Sequence, residues 1–359
     1  MVSLDDLTPP ERSFASDNSA GVHPKIIEAI SRANVGHQPA YGYDPYTARA
    51  DAAFSELFGR DVDVFYVWNG TGANVLSLAS LLGPAQAVIC TSAAHIHVDE
   101  TGAPERILGV KLIDVDTDDA KLKPEHIEAQ TYALGNEHHA QPGVVSITQS
   151  TELGTLYSVE EIAALSETAH RSGMTMHLDG ARIANATVAL GGTTDVLRSF
   201  TVDAGIDVVS FGGTKNGMMY GEAVVFLDRD LAKHAIYLRK QITQLPSKMR
   251  FISAQFEAML ADDLWLDNAA YSNAMAVLLH ERTASIPGLT PGSAPKVNAL
   301  FPSLTRSAIV ALQRWCPFYD WDVATDTVRW MTSWDTTEAD IARFGDGVEN
   351  VLESHTKIS

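Results

Sequence analysis

The stretch 208-VVSFGGTKNGMMYGEAVVF-226 sets one ammonium group between two runs that read as buried strands. Val208, Val209 and Phe211 belong to the first run and 221-GEAVVF-226 to the second. Between them Gly212 and Gly213 lead into Lys215, so small residues surround a lone cation. A Gly-rich hairpin between buried strands is a poor place for a solubilising charge. Two readings stand. Lys215 caps a carbonyl-lined turn, or it is a reactive amine held within reach of a cofactor.

Working outward, further strands are expected at 64-VFYVWNG-70, 87-AVICT-91, 109-GVKLIDVD-116, 144-VVSITQS-150 and 174-MTMHLDG-180. Several are unbroken apolar runs, which suits a mostly parallel sheet covered by helices on both faces. Helices are expected at 23-HPKIIEAISRAN-34, 44-DPYTARADAAFSELFG-59 and 71-TGANVLSLASLLG-83, from apolar residues at three- and four-residue spacing. A capping box from Ser158 to Glu161 announces another over 162-IAALSETAHRSG-173. From about Phe251 the texture changes to one long helical stretch, 251–285. A strand near 297-VNALFP-302, a helix at 305-TRSAIVALQRW-315, a strand at 327-TVRWMTSWD-335 and a last helix from Thr336 follow. The expected organisation is an N-terminal arm and large α/β domain over 1–258, then a small C-terminal α/β domain over 259–359.

With 359 residues and 45% hydrophobic content, the chain can bury one large core and a smaller lobe. It shows no long apolar span, and its start lacks the layout of a signal peptide, so no membrane partner is expected. Cys90 and Cys316 are too few and scattered for a disulfide framework or a zinc site, which points to a reducing, cytoplasmic setting and no metal. A net charge of −19 argues against nucleic acid, because phosphate binding needs a basic face.

In sheets of this kind chemistry collects beyond the carboxyl ends of the strands. Four such ends carry polar residues. In 67-VWNGTGAN-74, Gly70, Thr71 and Gly72 lead a strand into a helix whose N-terminus could cradle an oxyanion. It is not a Walker loop, and Val75 stands where a dinucleotide fingerprint needs its third glycine. In 177-HLDGARIAN-185, Asp179 ends an apolar strand; it either caps the next helix or awaits a protonated heterocycle nitrogen. Arg182 follows, as a cap or an anion-binding group. In 92-SAAHIHVDETGAP-104, His95 and His97 alternate, so a strand or turn would point them to opposite sides, one of them stacking on a flat cofactor or serving structure. The fourth end carries Lys215. A cradle, a carboxylate, an imidazole and a secluded lysine are the parts that pyridoxal phosphate requires: a Schiff-base lysine, an acid for the pyridine nitrogen and a phosphate cup.

The ordered segments FASDN, YGYDP, NGTGAN, AAHIHVDETGAP, HLDGARIANA, SFGGTKNG, SKMRF and TVRWMTSWD resemble the low-specificity threonine aldolases over nearly the whole chain. That group belongs to the threonine aldolase and aromatic β-eliminating lyase grouping of aspartate-aminotransferase-like, fold type I enzymes. The resemblance implies that Lys215 carries the cofactor, Asp179 pairs with its ring nitrogen and His95 stacks over the ring. It implies that Gly70, Thr71 and Thr214 bind the phosphate, and that Ser16, Arg182 and Arg329 hold a substrate carboxylate. Tyr41 and Arg250 match positions that complete the site of a neighbouring subunit in family homotetramers, which are dimers of dimers. Glu152, in 149-QSTELG-154, stands near the place where some members carry a histidine that handles the substrate β-hydroxyl. A solvated carboxylate there would be a much weaker base. Trp330 and Trp334 are expected to wall Arg329 with apolar surface.

The activity implied is retro-aldol cleavage of L-threonine, L-allo-threonine and related β-hydroxy-α-amino acids to glycine and an aldehyde. Rival readings are β-elimination, racemisation or transamination on the same scaffold. From other classes come a nucleotide-dependent oxidoreductase using the NGTGAN turn and a non-catalytic partner-binding protein.

Overall fold

The computed structural model describes residues 4–356, so the outer ends of the two expected domains, 1–3 and 357–359, lie outside the described residues. Seven strands form one sheet: β1 (Asp63–Val67), β2 (Gln86–Thr91), β3 (Lys111–Val115), β4 (Gln141–Thr148), β5 (Thr175–Gly180), β6 (Val208–Phe211) and β7 (Glu222–Phe226). Their order is β1-β7-β6-β5-β4-β2-β3. From β3 to β6 neighbours run parallel, while β7 is antiparallel to both β6 and β1. Every residue of β6 and β7 is buried, the condition that unbroken apolar strands satisfy when both faces of a sheet are covered. The lysine-bearing stretch is therefore a hairpin, with Phe211 opposite Ala223.

These strands and their helices lie in a compact unit formed by Val22–Thr214 and Met218–Leu266. Helix α1 covers Pro24–Ala33, α2 Pro45–Phe58 and α3 Gly70–Leu81. Local chemistry sets the bounds of α2. Asp44 caps it by accepting the Thr47 N–H at 2.9 Å, Pro45 fits the first turn, and Gly59 ends it at φ +66°. The Ser158–Glu161 capping box closes in both directions at the start of the helix Val159–Arg171. Phe54, Phe211 and Phe256 pack as an aromatic knot, with centroids 5.3 Å apart in the two pairs that share Phe54.

The expected single helix over 251–285 is broken. One helix ends at Leu260 and the next begins at Leu264, with Asp262 and Asp263 between them at φ +51° and +54°. Two aspartates at the break tolerate the left-handed region better than the apolar residues on either side, and neither residue was read as a stop signal.

The second compact unit has described residues 4–21, 215–217 and 267–356. Its small antiparallel sheet has the order β8 (Ala299–Leu300), β10 (Thr327–Met331), β9 (Tyr319–Asp322). The N-terminal arm supplies Phe14 to this unit's core, 4.5 Å from the Phe344 ring, which in turn meets Trp330 at 4.9 Å. Arg12 pairs with buried Asp340 at 3.1 Å. Among the described residues no helix is long and apolar enough to cross a membrane.

Candidate active site

Lys215 lies in the tight turn Thr214–Asn216 that follows β6 and is half-buried. Glycine is required just before it. A Cβ on Gly212 would sit 2.3 Å from the Ala181 carbonyl oxygen, so only a bare backbone passes the end of β5. The Gly213 N–H donates to the buried Glu222 carboxylate, and Thr214 Oγ1 accepts the Gly221 N–H at 3.1 Å. The Asn216 carbonyl accepts from Asn268 Nδ2 at 2.9 Å.

Asp179 is the penultimate residue of β5 and is buried. Its Oδ1 accepts the Ala181 N–H at 3.0 Å, and its Oδ2 accepts from Asn74 Nδ2 at 2.8 Å. Burial alone would raise its pKa. The His95 and His177 imidazoles, with the Asn74 and Ala181 donors, outweigh burial and hold it below the ordinary carboxylate value. The anion therefore persists at neutral pH. Two residues back, on the same face of β5, His177 bridges Ser146 on β4 and Ser210 on β6 at 2.9 Å each. Burial pushes that imidazole down to about 4, so it is a neutral, hydrogen-bonded strut.

His95 does not lie on a strand or turn as expected; it opens the short helix His95–Val98, which follows β2. Its Nδ1 lies 2.9 Å from Glu100 Oε1, and its backbone N–H donates to Glu152 Oε1 at 2.9 Å. Glu152 also accepts from Thr148 Oγ1 at 3.1 Å, while its buried Oε2 has no hydrogen-bond partner among the described residues. It is not solvated. Burial, reinforced by the Asp179 charge, pushes its carboxyl up to about 7. The expectation of a weak base resting on a solvated carboxylate is thus corrected.

The start of α3 forms the expected turn. Asn69 caps it by accepting the Gly72 N–H at 2.8 Å, and the first N–H groups of a helix have no intrahelical acceptor. A Cβ on Gly70 would meet nothing within 4 Å, whereas one on Gly72 would strike the Gln244 amide at 2.3 Å. Gln244 in turn accepts the Trp68 N–H at 2.9 Å. An open first turn beside Thr71 is suited to an anion.

Within this unit the structure brings together Asp179, His95 and Glu152, with Gly70 and Thr71 on the helix that supplies Asn74. Arg182 precedes the helix Ile183–Leu190, and Thr214 follows β6. Tyr41 lies in a loop where its N–H donates to the Ser247 carbonyl at 2.9 Å, and Arg250 opens the helix Arg250–Leu260. Arg250 reaches the Gly36 carbonyl at 3.5 Å. In the other unit Ser16 caps the turn Asp17–Ser19, and Arg329 Nη2 points to the Ala15 carbonyl at 3.5 Å. The walls of Arg329 are corrected. Its guanidinium lies over Trp321 at 5.3 Å and Tyr319 at 5.8 Å, while alternation along β10 buries Trp330 and the Trp334 indole donates to the Gly21 carbonyl.

Asn74, Glu100, His177 and Gln244 were missed. Asn74 carried the plainest signal, an amide on the apolar face of 71-TGANVLSLASLLG-83. His177 shares strand parity with Asp179. Glu100 and Gln244 had no pattern to mark them.

A model of the family described as beta-eliminating lyase matches residues 13–306. The low specificity L-threonine aldolase of Pseudomonas sp. (strain NCIMB 10558) is 41% identical over 351 residues, 97% of this chain and 100% of that protein. Among solved structures, the threonine aldolase of Leishmania major superposes with a TM-score of 0.87 at 32% identity, covering 95% of this chain and 99% of its own. An aspartate aminotransferase from Rhodobacter sphaeroides shares the fold at a TM-score of 0.69 and 15% identity, with 98% and 95% covered. The architecture is thus the aspartate-aminotransferase-like, fold type I α/β arrangement. Matched along most of its length to that family and to one of its aldolases, the chain belongs to the beta-eliminating lyase family, among the low specificity L-threonine aldolases.

Proposed function

We propose that this enzyme cleaves L-threonine, L-allo-threonine and related β-hydroxy-α-amino acids between Cα and Cβ, releasing glycine and an aldehyde. The observation that carries the reading is Asp179, a buried carboxylate kept ionised at a strand end, in a chain 41% identical to a threonine aldolase. Incubation with L-threonine should yield glycine and acetaldehyde in equal amounts. 2-Oxobutanoate with ammonia, a β-hydroxy keto acid, or D-allo-threonine as product would instead support elimination, transamination or racemisation.

The residues fit pyridoxal 5'-phosphate. Asp179 is an anion maintained against burial, which suits a protonated ring nitrogen, and the space over Gly70 in the first turn of α3 suits a phosphate. Lys215 would hold the cofactor covalently and Asp179 its ring nitrogen. His95 would face the ring, and Gly70, Thr71 and Thr214 would bind the phosphate. When bound, the cofactor supplies the electron sink for the pair released as Cα–Cβ breaks. Ser16, Arg182 and Arg329 would hold the substrate carboxylate, which fixes the handedness accepted at Cα and selects the bond presented for cleavage. His95 or Glu152 would take the β-hydroxyl proton.

Arg329→Ala should weaken amino-acid binding about ten- to a hundredfold, because a charge-assisted contact to a carboxylate contributes roughly 1.5–3 kcal/mol. Cofactor uptake should not change. A threonine titration indistinguishable from wild type would reduce Arg329 to a residue stacked on Trp321 and Tyr319.

Glu152→Gln should change the ratio of kcat/KM on L-threonine to that on L-allo-threonine, with both cleaved by the wild type. The same carboxyl gives a test free of chemistry. Its pKa in the folded chain, about 7, is raised above an unfolded value of about 4.3, so its contribution to stability is complete below about pH 4.3. That contribution is lost as pH rises through about 7. Relative to Glu152→Gln, the cofactor-free wild type should therefore lose melting temperature between pH 5 and 8. A pH-independent difference would mean that Glu152 is solvated, and an unchanged isomer ratio would remove it from the β-hydroxyl.

The site is further proposed to be completed in a homotetramer, a dimer of dimers, by Tyr41 and Arg250 of a neighbouring copy. Support comes from exposed aromatic side chains, Tyr41 at 45%, Tyr43 at 76% and Tyr237 at 68%, which a partner would cover. Light scattering that finds an active monomer would refute it. A cytoplasmic location is proposed from the free, buried thiols of Cys90 and Cys316.

A further inference from the structure

Asn74 Nδ2 donates to two carboxylates at once, Glu100 Oε1 and Asp179 Oδ2, each at 2.8 Å. Glu100 Oε1 also faces His95 Nδ1 at 2.9 Å, so four side chains form one continuous line from His95 to Asp179. The orientation of the amide is forced. An atom between two carboxylates must be the donor nitrogen, which leaves Asn74 Oδ1 buried without a hydrogen-bond partner among the described residues. Glu100 Oε2 is left in the same condition. A network serving stability alone would not keep two orphaned polar atoms in the interior, because each costs free energy that an apolar pair would avoid. Its geometry instead constrains the imidazole. Nδ1 facing a carboxylate must carry the proton, so whenever the ring is neutral its lone pair lies on Nε2.

We propose that Glu100 is a positioning residue that fixes the tautomer and tilt of His95, and that Asn74 ties this anchored imidazole to Asp179, so that the two cofactor-facing groups are set as one unit. The inference rests on the reading in which His95 and Asp179 hold pyridoxal phosphate, but its first test does not need the cofactor. Glu100 is fully buried behind His95 and touches neither substrate nor cofactor in this scheme. Its role is to remove the rotational freedom of the ring before binding, so that little ordering is left to oppose association.

The test is nitrogen-15 NMR of the imidazoles in the cofactor-free protein, with the His95 signal assigned by its loss in His95→Asn, alongside spectroscopic titration with pyridoxal 5'-phosphate. Wild-type His95 should be a single tautomer protonated at Nδ1. Glu100→Ala should show a mixture of tautomers and bind pyridoxal phosphate about tenfold more weakly. Glu100→Gln, whose amide oxygen can still accept from both neighbours, should restore the tautomer and most of the affinity. Asn74→Ala should leave the His95 tautomer as it is yet weaken the cofactor by a similar factor, since Asp179 loses its donor. A neutral wild-type His95 protonated at Nε2 and bare at Nδ1 would overturn the proposal even if Glu100→Ala fails to fold. So would a folded Glu100→Ala with wild-type tautomer and affinity, or an Asn74→Ala with unchanged affinity. Wild type that takes up no pyridoxal phosphate at all would overturn the functional reading instead, and the tautomer measurement would still decide the positioning of His95.

Discussion

Lys215→Ala should abolish the yellow colour of the cofactor-loaded protein and its cleavage of threonine together. Lys215 is the one ammonium group in a stretch whose backbone is shaped by its neighbours. Gly212 passes the Ala181 carbonyl, the Gly213 N–H is held by Glu222, and Thr214 accepts the Gly221 N–H. None of these constraints involves the lysine side chain, so the turn should survive its removal. The fold should survive with it. What is lost is the only group proposed to bind the cofactor covalently, and loss of a nucleophile of that kind lowers turnover by roughly 10⁴-fold or more. Borohydride treatment of the loaded wild type should fix a stable adduct, and peptide mapping should place it at Lys215. A variant that stays yellow and cleaves threonine at the wild-type rate would end the assignment of Lys215 and the cofactor chemistry with it.

Much of this was legible because the signals were local. Buried strands such as 208-VVSF-211 and 223-AVVF-226 are mainly apolar runs of the kind a sheet covered on both faces accommodates, and all seven sheet strands lie where the pattern put them. The capping box at Ser158 and the Asp44–Pro45 start of α2 are encoded within four residues. What escaped depends on contacts far apart in sequence. Glu100 matters because the helix His95–Val98 turns its neighbour back toward Asn74, 26 positions away. Gln244 matters because it packs where a side chain on Gly72 would be. The character of Glu152 was misjudged for the same reason. Its pKa is set by burial and by the Asp179 charge, and neither is written in QSTELG. Arg329 fell to a simpler error, since Trp330, its neighbour on the strand, points to the other face and Trp334 lies beyond the strand's end, while Tyr319 and Trp321 come from the paired strand.

Asp179→Asn should fold less stably and lose most of its activity, for two separable reasons. The carboxylate accepts two donors, the Ala181 N–H and Asn74 Nδ2, with one oxygen each. An amide has a single acceptor, so in either orientation its NH₂ faces another donor in a buried place, a mismatch of about 1–3 kcal/mol. The wild-type advantage should have a characteristic pH dependence. Asp179 has a folded pKa held below its unfolded value of about 3.9, so its ionised form contributes stability that is complete above that value. That contribution disappears as pH falls through the lower, folded value. Denaturation of the cofactor-free proteins should therefore show a gap between wild type and Asp179→Asn that closes as pH falls below about 4. This is opposite in sense to the behaviour expected of Glu152. The chemical loss comes from the charge alone. With no anion beside it, the ring nitrogen has no reason to keep its proton, and withdrawal of electrons from Cα weakens with it. We expect a fall in kcat of about 10²–10⁴-fold, the range of a misplaced or missing acid–base partner, with threonine binding far less affected. An Asp179→Asn enzyme that binds pyridoxal phosphate and cleaves threonine as the wild type does would show that the buried anion serves the strand end and not the reaction.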